Sequence, residues 1–228
     1  MLGFIYALIG VAVLIALLHY KKVKTDTRRR TYIQNYNLTF LRPKLRKYHP
    51  ALSDTDLAQV ESGLKQFFLA NLLLKDQSLA MPSKVVDTLW HEFILHTKTY
   101  HEFCQQAFGR FLHHCPSEAM QGSNKAQLSI RKTWRACCSI ASISPRKPHQ
   151  LPILFALDAQ LHIPDGYYYT TAEFQSDQTE PKHDDTLAIY AGNIGCTTLK
   201  SGDGNADGAD SSASSCSSGS SCGSGCSS

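Results

Sequence analysis

The chain opens on an unbroken apolar run. From Leu2 to Leu18 it reads LGFIYALIGVAVLIALL, without a charged residue. At about 1.5 Å of rise per residue, such a run can just cross a hydrocarbon core roughly 27–30 Å thick. It has no polar face and stops at His19-Tyr20-Lys21-Lys22, a pattern that predicts a transmembrane helix rather than a helix buried in a protein core. A cleavable signal peptide would need a charged start and a shorter apolar region ending in small residues. Nothing charged precedes this run, so a retained anchor over residues 1–20 is expected.

Residues 31–50 mix aromatic and basic side chains with two prolines and read as a tether with one short helix, making 21–50 a basic flank and linker. A clear helical period follows. Ser53 or Asp54 can cap a helix in which Leu57, Val60, Leu64, Phe67, Phe68 and Leu72 recur at mostly three- and four-residue steps, through about Leu74. Pro82-Ser83 starts a second, longer helix, expected to run from Ser83 to Phe108 with Gly109 as its C-cap.

Beyond it, Ala119–Gln121 and Lys125 to about Ser139 predict further helical segments, and Pro145, Pro148 and Pro152 interrupt regular structure. Leu151 to Leu161 predicts a short buried helix. Tyr167 to Thr171 has the aromatic and β-branched character of a strand. From residue 176 the chain is polar, and its Ser/Gly/Cys-rich end holds almost nothing that could build a core, so 176–228 reads as a disordered tail. The expected fold is mainly α: a single transmembrane helix, a compact helical domain over 51–175 with at most a small β element, and the tail.

Charge sharpens the topology. The formal net charge of +4 resides in the flank: residues 21–30 carry 6 basic and 1 acidic residue, leaving 17 basic against 18 acidic elsewhere. The near-neutral remainder argues against nucleic acid as a partner. The flank reads instead as a positive-inside signal attracted to anionic lipid, which places the protein in the inner (plasma) membrane as a single-pass protein with its soluble domain in the cytoplasm. In that compartment Cys104, Cys115, Cys137 and Cys138 are expected as thiols.

The predicted helix from Ser83 carries the densest chemistry. His91-Glu92 suggests a zinc-protease signature, but the next histidine, His96, is five residues on and about 140° around the helix. That spacing fails the test. On a helical wheel Leu89, Phe93, Tyr100, Phe103 and Cys104 share one apolar face with His96 among them, while Asp87, His91 and Lys98 point away. Asp87 and His91 stand one turn apart, so the carboxylate can orient the imidazole, as ligand or general-base histidines require. A plain surface contact is the competing reading. Trp90 needs packing and argues that His91 sits at a cleft edge. His113-His114-Cys115 could complete a metal site, and because neighbouring residues of an extended loop point apart, at most one of His113 and His114 is expected to join His91.

The pattern D-x-x-W-H-x8-Y-x3-C, set by Asp87, Trp90, His91, Tyr100 and Cys104, resembles the glycine-rich domain-containing protein family and in particular its uncharacterised bacterial relatives. The resemblance covers roughly residues 50–170 and includes Phe108 to His114 and Leu151 to Asp158. It implies a fold rather than a reaction. Plant members often have a second histidine where this chain has Phe93, so a W-H-x-H ligand pair is not expected here. Two readings of function follow: a membrane-anchored interaction or scaffolding module with a protein partner, or a metal-dependent enzyme such as a hydrolase, in which His91 oriented by Asp87 binds a divalent ion such as zinc together with His113 or His114.

Overall fold

The computed structural model describes residues 2–75, 79–114 and 123–175. One unbroken helix, α1 (Leu2–Asn35), carries both the apolar run and the basic block. Its two ends have different surroundings. Every residue from Leu8 to Thr25 is exposed, whereas Tyr32 is half-buried and Ile33 is fully buried. Among the described residues, no helix is long and apolar enough to cross a membrane.

The Asn37 side-chain oxygen accepts from the Thr39 amide at 2.9 Å and from its hydroxyl at 2.7 Å. These bonds open a 3-10 turn, Thr39–Leu41, that leads into α2 (Arg42–Tyr48). Leu38, Leu41 and Leu45 are all buried. Residues 31–50 are therefore part of the packed body rather than a tether, and packing begins well before residue 50. The features that suggested a linker have local explanations. Pro43 lies in the first turn of α2, where its missing N–H is not needed. Arg42 pairs with Glu61 of the next helix.

That helix, α3 (Asp54–Leu73), starts at Ser53 in a capping box: the Ser53 hydroxyl accepts from the Asp56 amide, and the Asp56 carboxylate accepts from the Ser53 amide at 2.9 Å. It is the central element, packed against α1, α4, α6 and α7. Gly63 makes the crossing close; a Cβ there would collide with Leu157 Cδ1 and lie 3.0 Å from Val86 Cγ2.

The expected long helix from Ser83 is two helices, α4 (Lys84–Leu95) and α5 (Thr97–Phe108), broken at His96. With φ −80° and ψ 60°, His96 turns its N–H to the Phe93 carbonyl, three residues back, and the α-helical ladder stops. The break moves His96 off the apolar face. It is half-buried, with its ring edge-on to Phe40 at 5.4 Å. Leu89, Phe93, Tyr100, Phe103 and Cys104 are nevertheless all buried. Their rings form a cluster with Phe68 and with Tyr36 from the end of α1. Gly109, at φ 72°, closes α5 as its C-cap.

Three helices complete the described body: α6 (Ser123–Ala141), α7 (Ile153–Gln160) and α8 (Thr171–Gln175). Trp134 of α6 stacks on Phe174 of α8 at 3.8 Å, and its indole N–H donates to the Pro145 carbonyl. No strand is present among the described residues. The segment expected as one, from Tyr167, instead uses Tyr169 to pack on Phe155 at 5.0 Å, and at Thr170 it is tied to Glu173 at the start of α8. All described residues fall in one compact unit, Met1–Thr197. The expected helix at Ala119–Gln121, Cys115 and the tail over 176–228 lie outside the described residues.

Candidate functional site

The site stands on α4, and the start of α4 is fixed by a buried carboxylate. Asp158 of α7 is 1% exposed and accepts from the Ser83 hydroxyl at 2.6 Å, the Lys84 amide at 2.8 Å and the Val85 amide at 3.3 Å. It also accepts from the Tyr167 amide at 2.9 Å. The free N–H groups of a helix start are ready donors for an anionic side chain, and here another helix supplies it. Sequence reasoning missed this contact. The signal was an aspartate inside the apolar run ILFALDAQ, a position where a carboxylate needs donors around it.

One turn further along, Asp87 and His91 face outward. Asp87 is not only an orienting partner for His91; it is shared by two imidazoles. Its Oδ2 is 3.4 Å from His91 Nδ1 and its Oδ1 is 3.0 Å from His114 Nε2. The two imidazole rings lie 4.3 Å apart. The site is graded from wet to dry, with side-chain exposures of 53% for His91, 32% for Asp87 and 17% for His114. Trp90, 4% exposed, forms the inner wall, with its ring 4.6 Å from His114 and 5.0 Å from Phe67.

Of the adjacent pair, His114 joins the site and His113 does not. His113 is exposed, with its ring 4.8 Å from Phe111. Neighbouring side chains of an extended segment point apart, so only one of the two reaches the site. Tyr100 and Cys104 lie behind the site rather than in it. The Tyr100 hydroxyl accepts from the Trp90 indole N–H at 3.1 Å and donates to the Leu112 carbonyl at 2.7 Å. Burial pushes the Cys104 thiol above its ordinary range, and its sulfur meets the Leu112 backbone. It is a packed thiol and not a ligand of this cluster.

The ligand atoms of Asp87, His91 and His114 all lie within 4.8 Å of one another. Two ligands at about 2.0–2.1 Å from a tetrahedral ion stand roughly 3.3 Å apart; His114 meets Asp87 Oδ1 and His91 meets Oδ2, so a common ion would draw one atom of each residue together from within 4.8 Å. Two imidazole nitrogens and one carboxylate oxygen match the preference of borderline divalent ions such as zinc or iron(II).

A family model described as UCP032817-like matches residues 28–193. The chain belongs to the UCP032817-like family. The matched region starts inside α1, at its packed end, and takes in every residue of the site. No curated protein and no solved structure matches the chain. The UCP032817-like body therefore has to be read from its own geometry.

Proposed function

We propose that this UCP032817-like protein is a membrane-anchored helical domain that holds a divalent transition-metal ion at Asp87, His91 and His114. The observation that carries the metal reading is the convergence of three ligand atoms, drawn from α4 and from a segment past α5, on one half-exposed point. The exposed side leaves coordination positions for water or a substrate, as a hydrolytic site needs. The resemblance to glycine-rich domain-containing proteins belongs to the same proposal, because the positions of that motif include two ligands, Asp87 and His91, and the wall residue Trp90.

The test is elemental analysis of the full chain, purified in detergent without a histidine tag. About one zinc or iron per chain, lost in both His91→Ala and His114→Ala, is the expected result. Substoichiometric metal that is indifferent to both substitutions would remove the metal and leave an interaction module that recruits a protein partner.

The membrane part of the proposal is supported by α1. Phe4, Leu8, Ile9, Val11, Leu14, Ile15 and Leu18 are each more than half exposed, on all sides of a helix that continues into the body. Such a surface would bring a large cost in water and none in lipid. The basic residues from Lys21 to Arg30 support a reading in which the body lies on the cytoplasmic side. Fractionation should recover the chain with membranes, resistant to alkaline carbonate; release by carbonate would count against an anchor.

A further inference from the structure

Asp87, Trp90, His91, Tyr100 and Cys104 divide into two groups. Asp87 and His91 face outward at the site; Trp90, Tyr100 and Cys104 are buried. The buried three converge on one short stretch of backbone. Trp90 donates to the Tyr100 hydroxyl, that hydroxyl donates to the Leu112 carbonyl, and the Cys104 sulfur lies against the Leu112 backbone. Two residues on from Leu112 is His114, the one member of the site not carried by α4. The Trp90 ring touches the His114 ring as well, so the same side chain holds both the backbone and the imidazole.

We infer that Tyr100, with Trp90 and Cys104, is the positioning device of the site: it fixes the backbone at Leu112 so that His114 is delivered to Asp87 and His91. This inference rests on the metal reading above for its consequence, but not for its geometry. Backbone in an irregular segment has few other restraints. A hydrogen bond between side chain and carbonyl, made where water is excluded, is worth more than one at the surface and sets direction as well as distance. A ligand preorganised in this way costs less to immobilise when the ion binds, and removing such supporting contacts typically weakens metal affinity about 10- to 100-fold.

Tyr100→Phe keeps the ring in the core and deletes only the hydroxyl. The full chain in detergent is titrated with cobalt(II), whose visible spectrum reports coordination. Tyr100→Phe is expected to bind cobalt(II) at least about tenfold more weakly. Its spectrum should move toward that of His114→Ala. In the His114→Ala background, Tyr100→Phe should cost no further affinity, since the ligand it positions is gone. Wild-type affinity in Tyr100→Phe, or an equal loss in both backgrounds, would overturn the inference, because a general loss of stability would act with or without His114.

A separate readout keeps the two proposals apart. In the metal-free chain the His114 ring protons feel the ring currents of Trp90 and His91, and in Tyr100→Phe their resonances should shift toward those of exposed His113. If the wild type binds no cobalt(II), the metal reading falls, and this shift still decides the positioning inference. Unmoved His114 resonances would refute the inference even where metal binds.

Discussion

The Ser83 hydroxyl donates to the Asp158 carboxylate at 2.6 Å across 75 residues of chain, and this contact is what sets α4, and with it the site, on α7. Because Asp158 also receives two amides of the α4 start and the Tyr167 amide, its removal strands several buried donors at once. Asp158→Ala should destabilise the body by about 3 kcal/mol or more, since each bond to a charged acceptor is worth roughly 1.5–3 kcal/mol and the stranded donors stay desolvated. Asp158→Asn keeps one acceptor and should lose less. Thermal melts of the two variants give the order, and a melt of Asp158→Ala equal to wild type would show that the contact is dispensable.

The packed end of α1 gives a second expectation. Ile33 is fully buried, Tyr32 stacks on Phe103 and Tyr36 packs on it at a tilt. Ile33→Ala should cost about 2–4 kcal/mol, the range for truncating a large aliphatic side chain in a core. A chain shortened to begin at residue 21 should keep a cooperative melt, whereas one shortened to begin at residue 37 should not. A cooperative melt of the shorter form would restore residues 31–50 to the status of a tether.

That boundary shows where the sequence could be read and where it could not. Periodicity marked α3 within a residue or two, because its buried positions follow one helical face and Ser53, one of the two caps the sequence offers, is the N-cap. The same reasoning ran past His96. Nothing in the residue types demands a break there; the turn lets α4 pack on α3 while α5 packs on α1, which is a tertiary effect. Residues 31–50 misled for a similar reason. Their apolar residues, Ile33, Leu38, Leu41 and Leu45, straddle three short or ending elements and so show no single period. At the site, the spacing of Asp87 and His91 was legible because it is local. That His114 rather than His113 completes the cluster depends on how Tyr100 and Cys104 hold Leu112, which spacing does not encode.

His49 carries a pH prediction. Burial lowers its pKa below the usual 6.5, only partly opposed by the nearby Asp158 carboxylate. The unfolded chain therefore binds the His49 proton more readily than the folded one. Stability should fall as pH drops through about 6.5, and this loss should level off below the depressed folded value. Denaturant midpoints measured at pH 7.5 and at pH 5.5 should differ more in the wild type than in His49→Gln. Equal differences would mean that His49 does not contribute to the acid sensitivity.

Topology can be tested with cysteines, but not with those of the described body. Cys104, Cys137 and Cys138 are free and buried; burial pushes the Cys138 thiol up to about 12 and raises the Cys137 and Cys104 thiols as well. With so little thiolate and no solvent access, all three should resist maleimide in the native chain and react only after denaturation. Rapid native labelling of any of them would contradict the packing of α5 or α6. An introduced reporter avoids the problem. Lys98 is exposed, so Lys98→Cys, in a chain whose other cysteines are replaced by serine outside the core, offers a reactive thiol on the body. If the basic flank keeps the body in the cytoplasm, a membrane-permeant maleimide should label this thiol in intact cells and an impermeant one should not. Labelling by the impermeant reagent would place the body on the opposite side. Neutralising the six basic residues between Lys21 and Arg30 should then weaken the preference, if charge rather than folding of the body sets the orientation.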